Sequence, residues 1–369
     1  MKKILFCCGD RSADKYLSLL LKNIKQLSKE TKTYVLAGEE SKINCDFFIE
    51  NLVDYDAHGF FSPFLQFFKF FFLLNKLKKI IKIEKITAVV LLDYYGFNIR
   101  VAKCAKKLKL KVIYYITPQV WATRKYRLKK IKKYVDFVIN IYPFEKEIYE
   151  KFNIKNYYLG HPIVDTLQLQ PSNKDKQLIG IFPGSRKQVI KWNLPVMLKI
   201  VDYFLTNYNL PSIKFVIFGF KKYENLYKKI IKKSSFKKNL EICFDNKDYL
   251  RSKIWLAISV SGTTVLENIF YDIPTIVIYK LPYFMYLLIK KMVYIKFISI
   301  PNIILKKEVI PEFIQNNIDP PKVINYIEKF LKDEFSLKKI LDEYSTVKSL
   351  LSQNKNVSFS IAQKILQNI

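Results

Sequence analysis

Histidine, cysteine and acid are all scarce in this chain: 2 His, 5 Cys, and 32 Asp and Glu set against 63 Lys and Arg in 369 residues. Each shortage closes a class of function. The two histidines lie far apart, in Ala57-His58-Gly59 and Leu159-Gly160-His161-Pro162, so no His-rich metal site is expected. Cys7, Cys8, Cys45, Cys104 and Cys243 are an odd number without metal-ligand spacing, and three of them sit inside apolar patterns. Reduced core thiols follow. The absence of GxGxxG disfavours a dinucleotide dehydrogenase, and the absence of GxSxG disfavours a Ser-His-Asp hydrolase. No 18 consecutive residues are apolar and uncharged, so no spanning helix is expected. The start, Met1-Lys2-Lys3-Ile4-Leu5-Phe6-Cys7-Cys8, is too short in its apolar part for a signal peptide and runs into Gly9-Asp10-Arg11. It reads as a first buried strand.

The shortage of acid leaves a net charge of +31, which points to an anionic partner: nucleic acid, anionic lipid or a phosphorylated substrate. The lysines are spread over many helical segments, and no zinc-finger, RRM or basic-zipper pattern accompanies them. Nucleic acid is therefore not the expected partner. With 50% hydrophobic residues the chain can fill two cores, and its length suits two domains.

Strand-like runs at Ile4 to Cys8, Tyr34 to Ala37, Ala88 to Leu92, Val112 to Ile116 and Phe137 to Ile141 alternate with helical periodicity. A second series occupies Leu178 to Phe182, Ile213 to Phe218, Leu240 to Cys243, Ile254 to Ile258 and Thr275 to Tyr279. The alternation predicts an α/β protein of two doubly wound, Rossmann-like domains with parallel sheets. The polar stretch from Gln168 to Asp175 reads as the linker, giving domains 1–167 and 168–369, the second ending in a helical tail. Ligands of such folds bind in a cleft at the carboxyl ends of the strands.

Two turns stand out. Ile181-Phe182-Pro183-Gly184-Ser185-Arg186 and Val260-Ser261-Gly262-Thr263-Thr264-Val265-Leu266-Glu267 each follow a strand and open a helix. Free N–H groups at a helix start attract anions, and glycine lets a phosphate approach the backbone. Arg186 adds a planar cation, and Glu267 could accept two sugar hydroxyls, so together they point to a nucleotide diphosphate-sugar. Taken singly, either turn is also an ordinary βα connection. Asp93 ends the strand Ala88 to Leu92, where a general base would emerge beside the cleft, with Tyr94, Tyr95 and Phe97 to raise its pKa. A helix N-cap would occupy the same position. Gly9-Asp10-Arg11-Ser12-Ala13-Asp14 is a further strand-to-helix turn, placed to face an acceptor.

Phe60-Phe61-Ser62-Pro63-Phe64-Leu65-Gln66-Phe67-Phe68-Lys69-Phe70-Phe71-Phe72-Leu73-Leu74 puts aromatic rings on every side of a helix and is followed by Asn75-Lys76-Leu77-Lys78-Lys79. A monotopic membrane contact over 58–79, through Phe60, Phe61, Phe64, Phe67, Phe68, Phe71 and Phe72, fits this pattern. A wholly buried helix fits it too.

The segments together resemble the lipid-A-disaccharide synthase family of GT-B glycosyltransferases. The matches run in the family's order: Gly9 to Asp14; Asp93-Tyr94-Tyr95-Gly96-Phe97-Asn98; Tyr114 to Ala122; Pro143-Phe144-Glu145-Lys146; Gly160-His161-Pro162; Pro183 to Arg186; Ser261 to Glu267; and Ser299-Ile300-Pro301-Asn302. The chain departs from the family pattern at Asp10, usually Glu, at Ala13, usually Gly, and at Ser62, Thr123 and Val189.

The resemblance implies inverting transfer of 2,3-diacylglucosamine from UDP to the 6-hydroxyl of 2,3-diacylglucosamine 1-phosphate, giving a β-1,6-linked disaccharide 1-phosphate and UDP. It makes the first domain the acceptor and catalytic domain, with Asp93 and Asp10 catalytic. It makes the second the UDP-sugar domain, with Gly184, Ser185, Arg186, Ser261, Gly262, Thr263, Glu267 and Asn302 on the donor. It implies no metal or other cofactor, and a peripheral cytoplasmic location on the anionic inner membrane of a Gram-negative bacterium; it allows a homodimer. The rival readings are another GT-B transferase of envelope lipids, a UDP-sugar 2-epimerase, which the aromatic segment disfavours, and a non-catalytic membrane-associated relative, which Asp93 disfavours.

Overall fold

The computed structural model describes residues 2–54, 63–171, 173–208 and 212–369, with side chains described from residue 68 onward in the helix that begins at Pro63. Strands β1 (Lys3–Cys8), β2 (Lys32–Ala37), β3 (Phe47–Asn51), β4 (Ala88–Leu92), β5 (Lys111–Tyr115), β6 (Phe137–Asn140) and β7 (Asn156–Tyr158) form one parallel sheet in the order β3-β2-β1-β4-β5-β6-β7. Strands β8 (Asp175–Phe182), β9 (Lys214–Phe218), β10 (Leu240–Cys243), β11 (Ile254–Ser259), β12 (Thr275–Tyr279) and β13 (Glu312–Ile314) form a second, in the order β10-β9-β8-β11-β12-β13. A parallel sheet is covered by helices on both faces, so its central strands need side chains that are apolar in both directions. Ile4 to Cys8 and Ala88 to Leu92 meet that need and are fully buried.

All ten strand-like runs of the sequence lie on strands. The three it did not offer, β3, β7 and β13, are edge strands whose residues are mostly half-buried. One-sided cover removes the need for a continuous apolar run, and with it the signal.

The helix Arg11–Leu27 shows how local pattern becomes packing. Asp10 caps its start, and Leu17, Leu20, Leu21 and Ile24 recur at helical spacing on its buried face. Each of those side chains contributes roughly 1.5–3 kcal/mol on leaving water.

The chain divides into two compact units, Met1–Thr166 with Leu350–Ile369, and Leu167–Ser349. The sequence reading assigned everything after 168 to the second domain, whereas the tail belongs to the first unit. The physical reason is the last helix, Val357–Gln367, which buries Val357, Ile361, Ala362 and Ile365 and packs on the helix Arg11–Leu27. Asp165 accepts from Val357 N at 3.2 Å and Ser358 N at 2.5 Å, capping that helix from outside. Lys2 Nζ donates to Leu366 O at 2.7 Å near its other end.

Candidate active site

In the first unit, β1 and β4 are adjacent with Cys8 opposite Leu92, so the turns that follow them leave the sheet side by side. Strand order reverses between these two strands, which is where doubly wound folds bind ligands. Asp93 and Tyr94 both adopt left-handed backbone, with φ of 48° and 41°. For residues other than glycine this costs on the order of 1–2 kcal/mol each and persists only where the surroundings enforce it.

The enforcement is visible. Asp93 N donates to Ile116 O at 2.8 Å, while Asp93 O accepts from Tyr114 Oη at 2.6 Å and Asn98 Nδ2 at 2.9 Å. The buried Asn98 amide also reaches Leu92 O and Cys7 O, at 3.0 and 3.3 Å. The Tyr94 ring lies on Gly9, where a Cβ would stand 2.4 Å from Tyr94 Cγ, so this close approach requires glycine. These bonds grip the backbone of Asp93, whose side chain is half-buried. The N-cap of the helix Tyr95–Lys107 falls on Tyr94, one residue after Asp93.

Asp10 sits at the neighbouring turn. Its Oδ1 accepts from Ser12 N at 2.9 Å and Ala13 N at 3.3 Å, so one carboxylate oxygen is committed to capping. Asp14 is buried and bonds Gly38 N, Glu40 N and Ser41 Oγ, a structural clamp whose burial raises its pKa. Burial pushes the Cys8 thiol well up, and the charges of Asp14, Asp10 and Asp93 reinforce the rise. The structure thus gathers Asp10 and Asp93 around one strand end.

The second unit repeats the arrangement. Ser259 on β11 is opposite Phe182 on β8, again at the reversal of strand order. Val260 N donates to Phe182 O at 2.9 Å, and a Cβ on Gly184 would stand 3.2 Å from Val260 Cγ2 and 2.9 Å from Val189 Cγ1. The two turns singled out in the sequence are therefore neighbours. Gly184 has a φ of 97°, Ser185 and Arg186 are exposed, and a Cβ on exposed Gly262 would meet nothing within 4 Å. The start of the helix Thr263–Phe270 consequently opens to solvent, as an anion site requires. Ser261 Oγ donates to Ile298 O at 2.6 Å, fixing the turn.

Glu267 is held by Arg251, with Nη1 to Oε2 at 2.7 Å. The guanidinium lies over the rings of Phe182, Phe218 and Tyr271. Sequence reasoning missed Arg251, since nothing in the helix Lys247–Lys253 marks one cation among several. Asn302 corrects an expectation: it is fully buried, donating to Ile310 O and Glu312 Oε1 and accepting from Val309 N and Ile310 N, all at 2.8–2.9 Å. Its amide is spent on the loop before β13, which makes it a positioning residue and not a donor contact. Glu312, also missed, accepts from Ile298 N, Ser299 N and Ser299 Oγ. Among the described residues, no group of three or more His, Cys, Asp or Glu converges as a metal site.

The family model described as lipid-A-disaccharide synthetase matches residues 4–366. The chain belongs to this family. A lipid-A-disaccharide synthase of Persephonella marina is 31% identical over 287 residues, covering 73% of this chain and 74% of the relative. That of Coxiella burnetii (strain RSA 331 / Henzerling II) is 28% identical over 384 residues, covering 100% and 98%. Among solved structures, UDP-GlcNAc 2-epimerase from Neisseria meningitidis bound to UDP-GlcNAc aligns at TM-score 0.64 and 12% identity over 99% of this chain and 100% of that one. MurG of Acinetobacter baumannii aligns at 0.61 and 13% over 100% of both. These two share the GT-B fold with the chain, and the family membership makes it a glycosyltransferase.

Several motifs of the lipid-A-disaccharide synthetase family are buried here. Glu145 is buried, accepting from Ile141 N, Tyr142 N and Trp121 Nε1 at 3.1–3.2 Å, and burial pushes its pKa up to about 7. His161 is buried against Tyr16 and Tyr142, its Nδ1 accepts from Ile163 N at 3.0 Å, and burial lowers its pKa to about 3. Gly160, with φ of 109°, gives the tail passage, since a Cβ there would stand 2.8 Å from Val357 Cγ2.

The aromatic segment divides. In the helix Pro63–Ile83, Leu73, Leu77 and Ile81 are core, and Phe70 packs on Tyr94 and Phe97 with centroids 5.9 and 5.2 Å apart. Phe68, Phe71 and Phe72 are 42–68% exposed, so the helix is not wholly buried. Phe60, Phe61 and His58 lie outside the described residues, as do the side chains of Phe64 and Phe67. Among the described residues no helix is long and apolar enough to cross a membrane.

Proposed function

We propose that this chain transfers a 2,3-diacylglucosaminyl group from UDP to the 6-hydroxyl of 2,3-diacylglucosamine 1-phosphate, inverting the anomeric centre. The observation that carries this reading is Asp93, held in left-handed backbone at the first sheet's switch point by Asn98, Tyr114 and Ile116. Its carboxylate takes the proton of the acceptor hydroxyl as that oxygen attacks the anomeric carbon. The bond from that carbon to the diphosphate oxygen breaks, and the electron pair leaves on UDP. Arg186, with the amides of Ser185, Ser261, Gly262 and Thr263 and the hydroxyls of Ser185 and Thr263, offsets the charge developing on the diphosphate, the task that preorganised donors perform in such steps. Glu267, oriented by Arg251, accepts from the ribose hydroxyls. Asp10 positions the acceptor edge while capping its own helix. No metal is part of this reading.

The acyl chains fit the same placement. Phe70 joins the aromatic helix to Tyr94, one residue from the proposed base, while Phe68, Phe71 and Phe72 face outward with Lys76, Lys78 and Lys79 following. This outer face docks the enzyme on an anionic inner leaflet, in a Gram-negative cell, where its lipid substrates reside. A homodimer is compatible with this arrangement. The test is the product itself: proton NMR of the purified disaccharide should give the coupling of a β-anomer linked to the acceptor's 6-position. An α-anomer, or attachment elsewhere, would overturn the inverting mechanism.

A further inference from the structure

Outside the proposed site, composition and burial disagree in the helix Tyr283–Met292 of the second unit. Its sequence is Tyr-Phe-Met-Tyr-Leu-Leu-Ile-Lys-Lys-Met, yet it has no buried residue. Tyr283, Phe284, Leu287, Leu288, Met292 and the following Tyr294 are 40–71% exposed. A helix that is apolar nearly all round is ordinarily core, and a patch of this kind on a surface marks an interaction site.

The ends of this excursion are fixed while its middle is uncovered. At the near end, Lys280 N donates to Asn193 Oδ1 at 2.7 Å and Leu281 N to Gln315 Oε1 at 2.8 Å, while Asn193 Nδ2 donates back to Lys280 O and Gln315 Nε2 to Leu281 O. At the far end Glu312 holds Ile298 N and Ser299 N at 2.8 and 2.9 Å. Asn193 and Ser299 are fully buried and Gln315 nearly so. The sequence between is presented on a rigid base.

Charge identifies the occupant. From Ile273 to Lys307 there is no Asp or Glu, while Lys280, Lys290, Lys291, Lys296, Lys306 and Lys307 fall in that span. At ten residues the helix is too short to cross a bilayer, which takes about 20. Aromatic and aliphatic side chains with lysines at one end are the composition of a helix lying in the headgroup boundary of an anionic bilayer. We propose that Tyr283–Met292 is a membrane-docking helix of the second unit, inserting Phe284 and Leu288 among the acyl chains while Lys290, Lys291 and Lys296 meet lipid phosphates. It stands on its own observations and does not depend on the aromatic helix Pro63–Ile83.

The test uses the full chain with vesicles of phosphatidylcholine alone or of phosphatidylcholine mixed with anionic phosphatidylglycerol. Amide hydrogen exchange should slow at 283–292 only with the anionic vesicles, read separately from any change at 68–83. Phe284→Ser/Leu288→Ser should lower partitioning at least about tenfold with an unchanged melting temperature, since both side chains are exposed. Lys290→Gln/Lys291→Gln should weaken its dependence on phosphatidylglycerol. Vesicle binding with no slowing at 283–292 would overturn the proposal. So would a double-serine variant that partitions unchanged but dissociates from dimer to monomer in light scattering, because the face would then cover a second copy of the chain.

Discussion

Replacing Asp93 by Asn removes a charge and leaves the backbone trap untouched. The three bonds that enforce the turn use Asp93 N and O, not the carboxylate, and Asn tolerates left-handed backbone as well as Asp. The turn should therefore survive, and any change in stability should come only from contacts of the carboxylate itself. Loss of a general base lowers turnover by roughly a hundredfold or more, equivalent to about 2.7 kcal/mol of barrier. Asp93→Ala should lose the same turnover and also about 1 kcal/mol of stability, because alanine is disfavoured at a φ of 48°. The assay is steady-state release of UDP from the diacylglucosamine donor, paired with calorimetric UDP affinity and a thermal melt. An Asn variant with near-wild-type turnover would refute the assignment of the base. One that melts early would show that the carboxylate itself holds the turn.

Arg186→Ala should weaken UDP binding by roughly 1.5–3 kcal/mol if its charged hydrogen bonds to phosphate are shielded from water, read by calorimetry; unchanged affinity would leave the two turns as ordinary connections. Arg251→Ala should weaken UDP binding as well, through loss of the 2.7 Å pair that orients Glu267, and Glu267→Ala should add little on top of it. Glu145 ionises in the unfolded chain near 4.5 but only at about 7 when folded, so its stabilising contribution is full below 4.5 and falls as pH rises through 7. The stability of wild type relative to Glu145→Gln should accordingly drop by about 3 kcal/mol between pH 4.5 and 7.5, measured from urea midpoints; a pH-independent difference would contradict it. Phe68→Ser/Phe71→Ser/Phe72→Ser should weaken binding to anionic vesicles without unfolding the protein, since Leu73, Leu77 and Ile81 keep the helix in the core. Early melting would mean that the three rings are core.

Central strands were legible because a parallel sheet demands side chains that are apolar on both faces, and Ala88-Val89-Val90-Leu91-Leu92 satisfies that in sequence alone. The place of Asp93 at a strand end was legible because it follows such a run directly. Its backbone environment was not: Asn98 stands on the helix Tyr95–Lys107 while Tyr114 and Ile116 stand on β5 and just past its end, and only folding brings them to one carbonyl and one amide. The same holds for Arg251, whose role depends on three rings from β8, β9 and the turn after the helix Thr263–Phe270. Asn302 misled for the opposite reason, since a motif match carries no record of whether an amide faces a ligand or its own loop. The tail went to the wrong unit because apolar spacing in Val357 to Ile365 shows that a face is buried without showing against what.

The central claim is that the chain joins two acylated glucosamines, and the most direct measurement is the reaction itself. Purified protein incubated with UDP-2,3-diacylglucosamine and 2,3-diacylglucosamine 1-phosphate should yield disaccharide 1-phosphate and UDP in equal amounts by mass spectrometry. Neither product should form when one substrate is omitted, and both should fall at least about a hundredfold with Asp93→Asn. UDP released equally without the acceptor, or no disaccharide from folded protein that binds UDP, would contradict the account.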